Sequence, residues 1–275
     1  MFSTAEQTRV VTVLGQDLRI RIRPANGDGS GTPLLLCCGI GAGFDVLQPF
    51  VDALDPSIEV VRFDVPGVGG SPAGPVPYGF HGNAYLAVRM LRHLGYTRAD
   101  VLGLSWGGGL AQQMAFQSPR FVRKLVLVST GTGSVMVPAH PRVLLKMVTP
   151  RRFNDRSYAA TVVGDLYGGS ARTDPDRVLA LMGDNLRPAS PRGYLHQLMA
   201  GMGWVSLPWL PLIRQQTLIL AGKDDPIIPL ANARVMQHLL PHAELHIHEG
   251  GHVALVTEAD RLAPVVAAFL SNHQH

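Results

Sequence analysis

A serine hydroxyl becomes a nucleophile when a histidine takes its proton and a carboxylate orients that histidine. Three stretches of this chain supply those residue types, in the order serine, aspartate, histidine that an α/β architecture uses for this chemistry. Gly103-Leu104-Ser105-Trp106-Gly107 has the Gly-x-Ser-x-Gly pattern of a tight strand-to-helix turn. Such a turn exposes a strained serine, and its neighbours two residues away must lack bulk. Gly222-Lys223-Asp224-Asp225-Pro226 follows an apolar run at 218–221, and Glu249-Gly250-Gly251-His252 follows a strand-like run ending at His248. Asp225, directly before Pro226, is the expected partner of His252. Asp224, as a turn cap or solvent-facing residue, is the alternative. A helix-capping serine, a turn aspartate and a polar loop histidine would each be ordinary alone. Together they must explain three suitable types, in order, each just past a buried strand. Acyl transfer also needs two backbone N–H donors for the oxyanion, one from the residue after the nucleophile and one from the loop after an early strand. Those are Trp106 and Ile40, the latter within Cys38-Gly39-Ile40-Gly41. Ile40, Gly41, Trp106, Met136, Ile227 and Val253 are the expected substrate contacts. This chemistry calls for no metal and no organic cofactor.

The elements that must position these residues are legible as pattern. Residues 101–104 read as a buried strand, and 106–116 carry Leu110, Ala111, Met114 and Ala115 at helical spacing. Residues 10–23 alternate apolar and polar around Gly15-Gln16-Asp17, predicting a hairpin with one wet face, and 26–32 is a polar loop. Apolar runs at 34–38, 58–63, 124–129 and 218–221 suggest strands buried on both faces, with a further strand at 244–248. Helices are expected at 46–54, 80–94, 230–239 and 260–270, the second with Tyr85, Val88, Met90 and Leu91 facing the core. This alternation implies right-handed βαβ units and a mainly parallel sheet. From 130 to about 214 the buried-strand runs stop. Short helical pieces rich in Met, Trp, Tyr and Leu, broken by Pro and Gly, take over. We therefore expect a core of 1–129 and 215–275, with 130–214 inserted as a helical cap over one end of the sheet.

Composition narrows the class. With 275 residues, 46% apolar and only 16% charged, the chain can bury a large core. The net charge of +4 is spread out. Arg151-Arg152 and Arg21-x-Arg23 are its densest clusters and read as solvated surface rather than a nucleic-acid patch. The only cysteines are the neighbours Cys37 and Cys38, which on a strand point to opposite faces and so do not pair. No apolar run is long enough for a transmembrane segment, and Met1 to Arg9 carries no signal-peptide core. The expectation is a soluble, cytoplasmic protein.

Other motifs carry less. Asp64 with Gly67-Val68-Gly69-Gly70 lacks the Lys-Ser/Thr of a phosphate loop, so Asp64 is expected to fix a turn. His242, His246 and His248 lack metal-ligand spacing and read as exposed strand histidines. Met136, Met147, Met182, Met199, Met202, Trp204 and Trp209 are expected both to line an acyl pocket and to form the core of the insertion.

These residues make the chain resemble an α/β-hydrolase with a cap, and more narrowly the intracellular depolymerases of medium-chain-length polyhydroxyalkanoates. The resemblance includes Ala53-Leu54-Asp55-Pro56, Phe63-Asp64-Val65-Pro66-Gly67-Val68-Gly69-Gly70-Ser71 and Ser105-Trp106-Gly107-Gly108 followed by Leu110-Ala111-Gln112-Gln113. In the insertion it covers Val135-Met136-Val137-Pro138, Pro150-Arg151-Arg152, Tyr167-Gly168-Gly169 and Ala200-Gly201-Met202-Gly203-Trp204. It implies an α/β-hydrolase fold, with a mainly parallel central sheet flanked by helices and a helical cap. It also implies hydrolysis of (R)-3-hydroxyalkanoate esters, the triad Ser105, Asp225 and His252, and association with storage granules. Two positions depart from that family: Cys38 stands where Asn or His is common, and Val253-Ala254 where bulkier residues are usual. A broad carboxylesterase or a carbon–carbon bond hydrolase is the first alternative, and a non-catalytic binding module the second. A serine at 105 argues against dehalogenase or epoxide hydrolase chemistry, which this fold performs with an aspartate nucleophile.

Overall fold

Eight strands form one sheet in the computed structural model, which describes residues 6–26, 31–148, 151–183 and 190–272. They are β1 (Gln7–Val13), β2 (Gln16–Arg23), β3 (Leu34–Cys37), β4 (Val60–Phe63), β5 (Ala99–Leu104), β6 (Val122–Val128), β7 (Gln216–Gly222) and β8 (Ala243–His248). Their order is β1-β2-β4-β3-β5-β6-β7-β8, with β2 antiparallel to β1 and β4 and every other pairing parallel. The central strands are continuous apolar runs because both faces are covered. Alternate residues feed opposite cores: Leu35, Cys37 and Val101 on one face, Leu34, Leu36, Cys38 and Leu102 on the other. Both cysteines are therefore buried and free.

The helices are α1 (Gln48–Ala53), α2 (Gly79–His93) and α3 (Trp106–Gln117), then α4 (Pro141–Met147), α5 (Arg151–Asn154), α6 (Arg156–Tyr167), α7 (Ser170–Thr173), α8 (Pro175–Gly183) and α9 (Pro191–Gly201), and finally α10 (Leu230–Leu239), α11 (Ala254–Thr257) and α12 (Ala259–Ser271). Helices α4 to α9 all lie between β6 and β7, where strand patterning stops in the sequence. Among the described residues no helix is long and apolar enough to cross a membrane.

Several expectations shift. The hairpin turns at Leu14-Gly15, both with positive φ (52° and 77°), as a two-residue turn matched to strand twist requires; Gln16 and Asp17 already belong to β2. The helix expected at 46–54 is a 3-10 turn, Phe44–Leu47, followed by α1. Tyr85 is half exposed, and Phe80, Ala84, Leu86 and Ala87 fill its side of the core with Val88, Met90 and Leu91. Neither arginine cluster is simply solvated. Arg23 donates to the carbonyls of Leu54, Asp55 and Ile58, Arg21 pairs with Asp45, and Arg152 is buried. His248 is buried too, whereas His242 is exposed and His246 half-buried. Residues 27–30 of the expected loop, Met1 to Ala5 of the polar N-terminus and Pro150 lie outside the described residues.

Candidate active site

Ser105 sits at the end of β5, in the middle of the sheet, with φ 55° and ψ −117°. Such a conformation costs an L-residue about 1–3 kcal/mol and persists only where its surroundings over-determine it. They do. The Ser105 N–H donates to the Val128 carbonyl (2.9 Å), and the Ser105 carbonyl accepts from the Gly108 N–H (2.8 Å) and the Thr130 hydroxyl (2.7 Å). The flanking glycines are obligatory. A Cβ on Gly103 would lie 2.2 Å from the Gly107 oxygen, and one on Gly107 would lie 2.1 Å from the Cys37 oxygen.

Asp225 follows β7 and His252 follows β8, so three strand ends bring the candidate residues to the same edge of the sheet. His252 Nδ1 lies 3.0 and 2.9 Å from the two Asp225 carboxylate oxygens, in a pair almost fully removed from solvent. Asp225 Oδ1 also accepts from the N–H groups of Ile227 (2.9 Å) and Ile228 (2.8 Å), which lock the carboxylate's orientation. Asp224 turns away, paired with Arg172 (2.8 Å) and accepting the Gly169 N–H (2.7 Å). Arg172 and that N–H hold its carboxyl below the usual range.

Ser105 and His252 line one cleft of about 490 Å³, together with Ile40, Met147, Arg152, Tyr167, Met182, Ile227 and Val253. On its other side Ser105 borders a second cleft of about 870 Å³, lined by Phe80, Trp106, Met136, Leu144, Met147, Trp204 and Ile227 among others. Of the expected substrate contacts, Ile40, Ile227 and Val253 face the first cleft, and Trp106, Met136 and Ile227 the second. Gly41 lines neither; its N–H donates to Gln197 Oε1 at 2.8 Å. The methionines divide as well: Met136, Met147 and Met182 reach the clefts, whereas Met199 and Met202 are exposed. Trp209 stacks on Phe116 instead, with centroids 4.6 Å apart. Trp106, at the first position of α3, has an N–H with no intrahelical acceptor.

The loop carrying Ile40 is a turn closed from Gly39 O to Ala42 N (3.4 Å), with Gly41 at φ 76°. Cys38, which stands where Asn or His is common in the family it resembles, is a buried thiol pushed well above its usual pKa by desolvation. The support comes from elsewhere. Gln197 holds Gly41, and Asp64 accepts the N–H groups of Phe44 (2.8 Å) and Gly70 (2.9 Å) while pairing with Arg19 (3.0 Å). Burial nevertheless pushes the Asp64 carboxyl up.

Three residues have a part in the site that the sequence did not assign to them. The Tyr167 carbonyl accepts the His252 N–H (2.7 Å), and its ring stacks beside the imidazole (centroids 6.5 Å, 10°). The Gly168-Gly169 pair after it was the available signal, because a Cβ on Gly168 would sit 1.9 Å from the Asp224 oxygen and one on Gly169 would sit 2.3 Å from the Gly251 nitrogen. Arg152, buried at the first cleft, donates to the Tyr194 hydroxyl (3.1 Å). Gln197 had no sequence signal. Among the described residues no group of three or more His, Cys, Asp or Glu side chains could hold a metal ion, the three β8-region histidines included.

The family model for the α/β-hydrolase fold matches residues 32–259. A poly(3-hydroxyalkanoate) depolymerase of Ectopseudomonas oleovorans is 46% identical over 267 residues, covering 97% of this chain and 93% of its own. A 2-hydroxy-6-oxononadienedioate/2-hydroxy-6-oxononatrienedioate hydrolase of a Pseudomonas species is 29% identical over 259 residues, 90% of each chain. The crystal structure of an enol-lactonase from Burkholderia xenovorans superposes with a TM-score of 0.82 at 20% identity, over 96% of this chain and all of the other. That last likeness bears on the fold alone, and the fold, the serine turn and the matched length converge: the chain belongs to the α/β-hydrolase family.

Proposed function

We propose that this chain is a serine hydrolase that cleaves the ester bonds of poly(3-hydroxyalkanoates) with medium-length side chains. The observation that carries the substrate is the 46% identity, over nearly the full length of both chains, to a poly(3-hydroxyalkanoate) depolymerase. The mechanism rests on Ser105, His252 and Asp225. His252 Nε2 takes the Ser105 proton while Asp225 fixes the Nδ1–H tautomer and stabilises the imidazolium. Ser105 Oγ bonds to the ester carbonyl, and the N–H groups of Ile40 and Trp106 stabilise the resulting oxyanion. The ester C–O bond breaks as His252 returns the proton to the leaving alkoxide. Water, deprotonated by His252, then adds to the acyl-enzyme and releases a hydroxy acid and free Ser105.

Two apolar clefts meeting at Ser105 suit an ester with an aliphatic group on either side. In this reading 1–129 and 215–275 form the catalytic core and 130–214 the cap. Exposed Val135, Leu144, Leu145, Val148 and Met202 cluster in chain segments that border the larger cleft. Such an apolar rim suits contact with the surface of a water-insoluble polyester, hence a cytoplasmic enzyme at storage granules. The second reading, a carbon–carbon bond or small-ester hydrolase, draws on the 29% identical dienedioate hydrolase.

Comparing rates on medium-chain-length polyhydroxyalkanoate, p-nitrophenyl esters and ring-cleavage diketones separates the two. We expect 3-hydroxyalkanoate monomers or oligomers from the polymer. Fast turnover of small esters or diketones with negligible release from polymer would overturn the polyester assignment.

A further inference from the structure

We propose that Gln197 is a positioning residue through which the cap assembles the oxyanion hole. The proposal rests on the reading of Ile40 and Trp106 as the oxyanion donors. Those two N–H groups belong to different elements, the loop after β3 and the start of α3. Pairing of β3 with β5 and the close approach of Gly107 to the Cys37 oxygen bring the two elements together, and both are further tied to one buried residue of α9. Gln197 Oε1 accepts the Gly41 N–H at 2.8 Å, and the Gln197 main-chain carbonyl accepts the Trp106 indole N–H at 2.9 Å. Gln197 is 3% exposed.

The bond to Gly41 matters because the loop closes weakly by itself. Its own turn hydrogen bond is 3.4 Å long, and among the described residues Cys38 supplies no bond to it. The Gly41 amide is the next peptide after Ile40, so fixing it fixes the turn from which the Ile40 N–H projects. On the other side, the indole bond and the Phe80 ring (centroids 4.6 Å) set the pose of Trp106 at the head of α3.

Helix α9 is itself seated without slack. A Cβ on Gly193 would lie 2.0 Å from the Gly67 oxygen, the Ser190 N–H donates to that same oxygen (3.0 Å), and Arg192 donates to the Pro75 carbonyl (2.6 Å). Seating α9 on the core and setting the two donors are thus one event. A displaced cap leaves Gly41 without its acceptor and the donors out of register, so the enzyme stabilises its transition state only with the cap closed.

Gln197→Met keeps the side-chain length and removes the acceptor. On a soluble ester we expect kcat to fall about 10- to 100-fold, somewhat less than complete loss of an oxyanion donor, with KM within about twofold. Affinity for a trifluoromethyl ketone, which binds as a tetrahedral adduct of the serine, should fall by the same factor as kcat. Trp106→Phe deletes the indole bond but keeps the main-chain N–H. Because Trp106 also lines the second cleft, the KM of this variant is free to change; kcat and ketone affinity should still fall by one common factor, which carries the test should Gln197→Met fail to fold. A folded variant with unchanged kcat, an effect confined to KM, or ketone affinity equal to wild type would overturn the proposal. Wild-type enzyme that binds the trifluoromethyl ketone no better than its methyl ketone analogue would instead overturn the oxyanion reading beneath it.

Discussion

His252 is held from three directions: Asp225 at Nδ1, the Tyr167 carbonyl at its main-chain N–H, and the Tyr167 ring alongside. Four residues upstream, His248 governs the turn that delivers it. The Gly250 N–H donates to His248 Nδ1 (3.2 Å), so the imidazole is neutral with its proton on a buried Nε2 that finds no acceptor among the described residues. Desolvation lowers its pKa from 6.5 to about 4. The unfolded chain therefore binds a proton that the native state refuses between those values. Stability falls as pH drops below about 6.5 and levels off below about 4, by up to roughly 3 kcal/mol. His248→Asn, whose side-chain oxygen can still accept from Gly250 but cannot titrate, should flatten the loss of melting temperature between pH 6.5 and 4.5. An unchanged acid slope would contradict this. At this scale the sequence singled out Ser105, Asp225 and His252, each just past a buried strand; the structure puts His252 Nδ1 2.9 Å from Asp225 and lines one cleft with Ser105 and His252. It was silent about Gln197 and misleading about His248 and Arg152, whose burial depends on neighbours far away in the chain.

The serine turn is the element on which the geometry converges. It wedges between β3 and β5 only because Gly103 and Gly107 present no side chain to the backbone beside them. Gly107→Ala would force a Cβ to within 2.1 Å of the Cys37 oxygen. We expect a loss of at least about 3 kcal/mol in denaturant unfolding, or insoluble protein, from overpacking against backbone that cannot yield. Gly201→Ala, at the end of α9 with open space around it, should be neutral or stabilising by up to about 1 kcal/mol. Equal effects at the two positions would remove the argument for the turn. Strand and helix existence followed from apolar runs and helical spacing, and the helix at 230–239 matches α10. The hairpin turn slipped by a residue because Leu14, not a conventional turn former, takes a left-handed conformation. The insertion resisted finer reading: its pieces are short, and α4 to α8 pack mainly on one another rather than on a strand that would set their pattern.

Taken whole, the molecule is a sheet that brings three loops to one edge and an insertion whose contacts support all of them. Tyr167 and Gly169 brace the turns of His252 and Asp224, Gln197 braces the loop of Ile40, and Met136, Met147, Met182 and Trp204 give the clefts their apolar walls. The fold class could be read from strand–helix alternation alone, whereas the division of the methionines between cleft and surface could not, since all share one composition. That arrangement stands or falls with Ser105 as the nucleophile. Treating the enzyme with a fluorophosphonate and mapping the adduct by peptide mass spectrometry tests it most directly. We predict a single adduct on Ser105, and loss of both adduct and ester hydrolysis in Ser105→Ala. An adduct on another residue, or a Ser105→Ala enzyme that turns over ester at the wild-type rate, would contradict it.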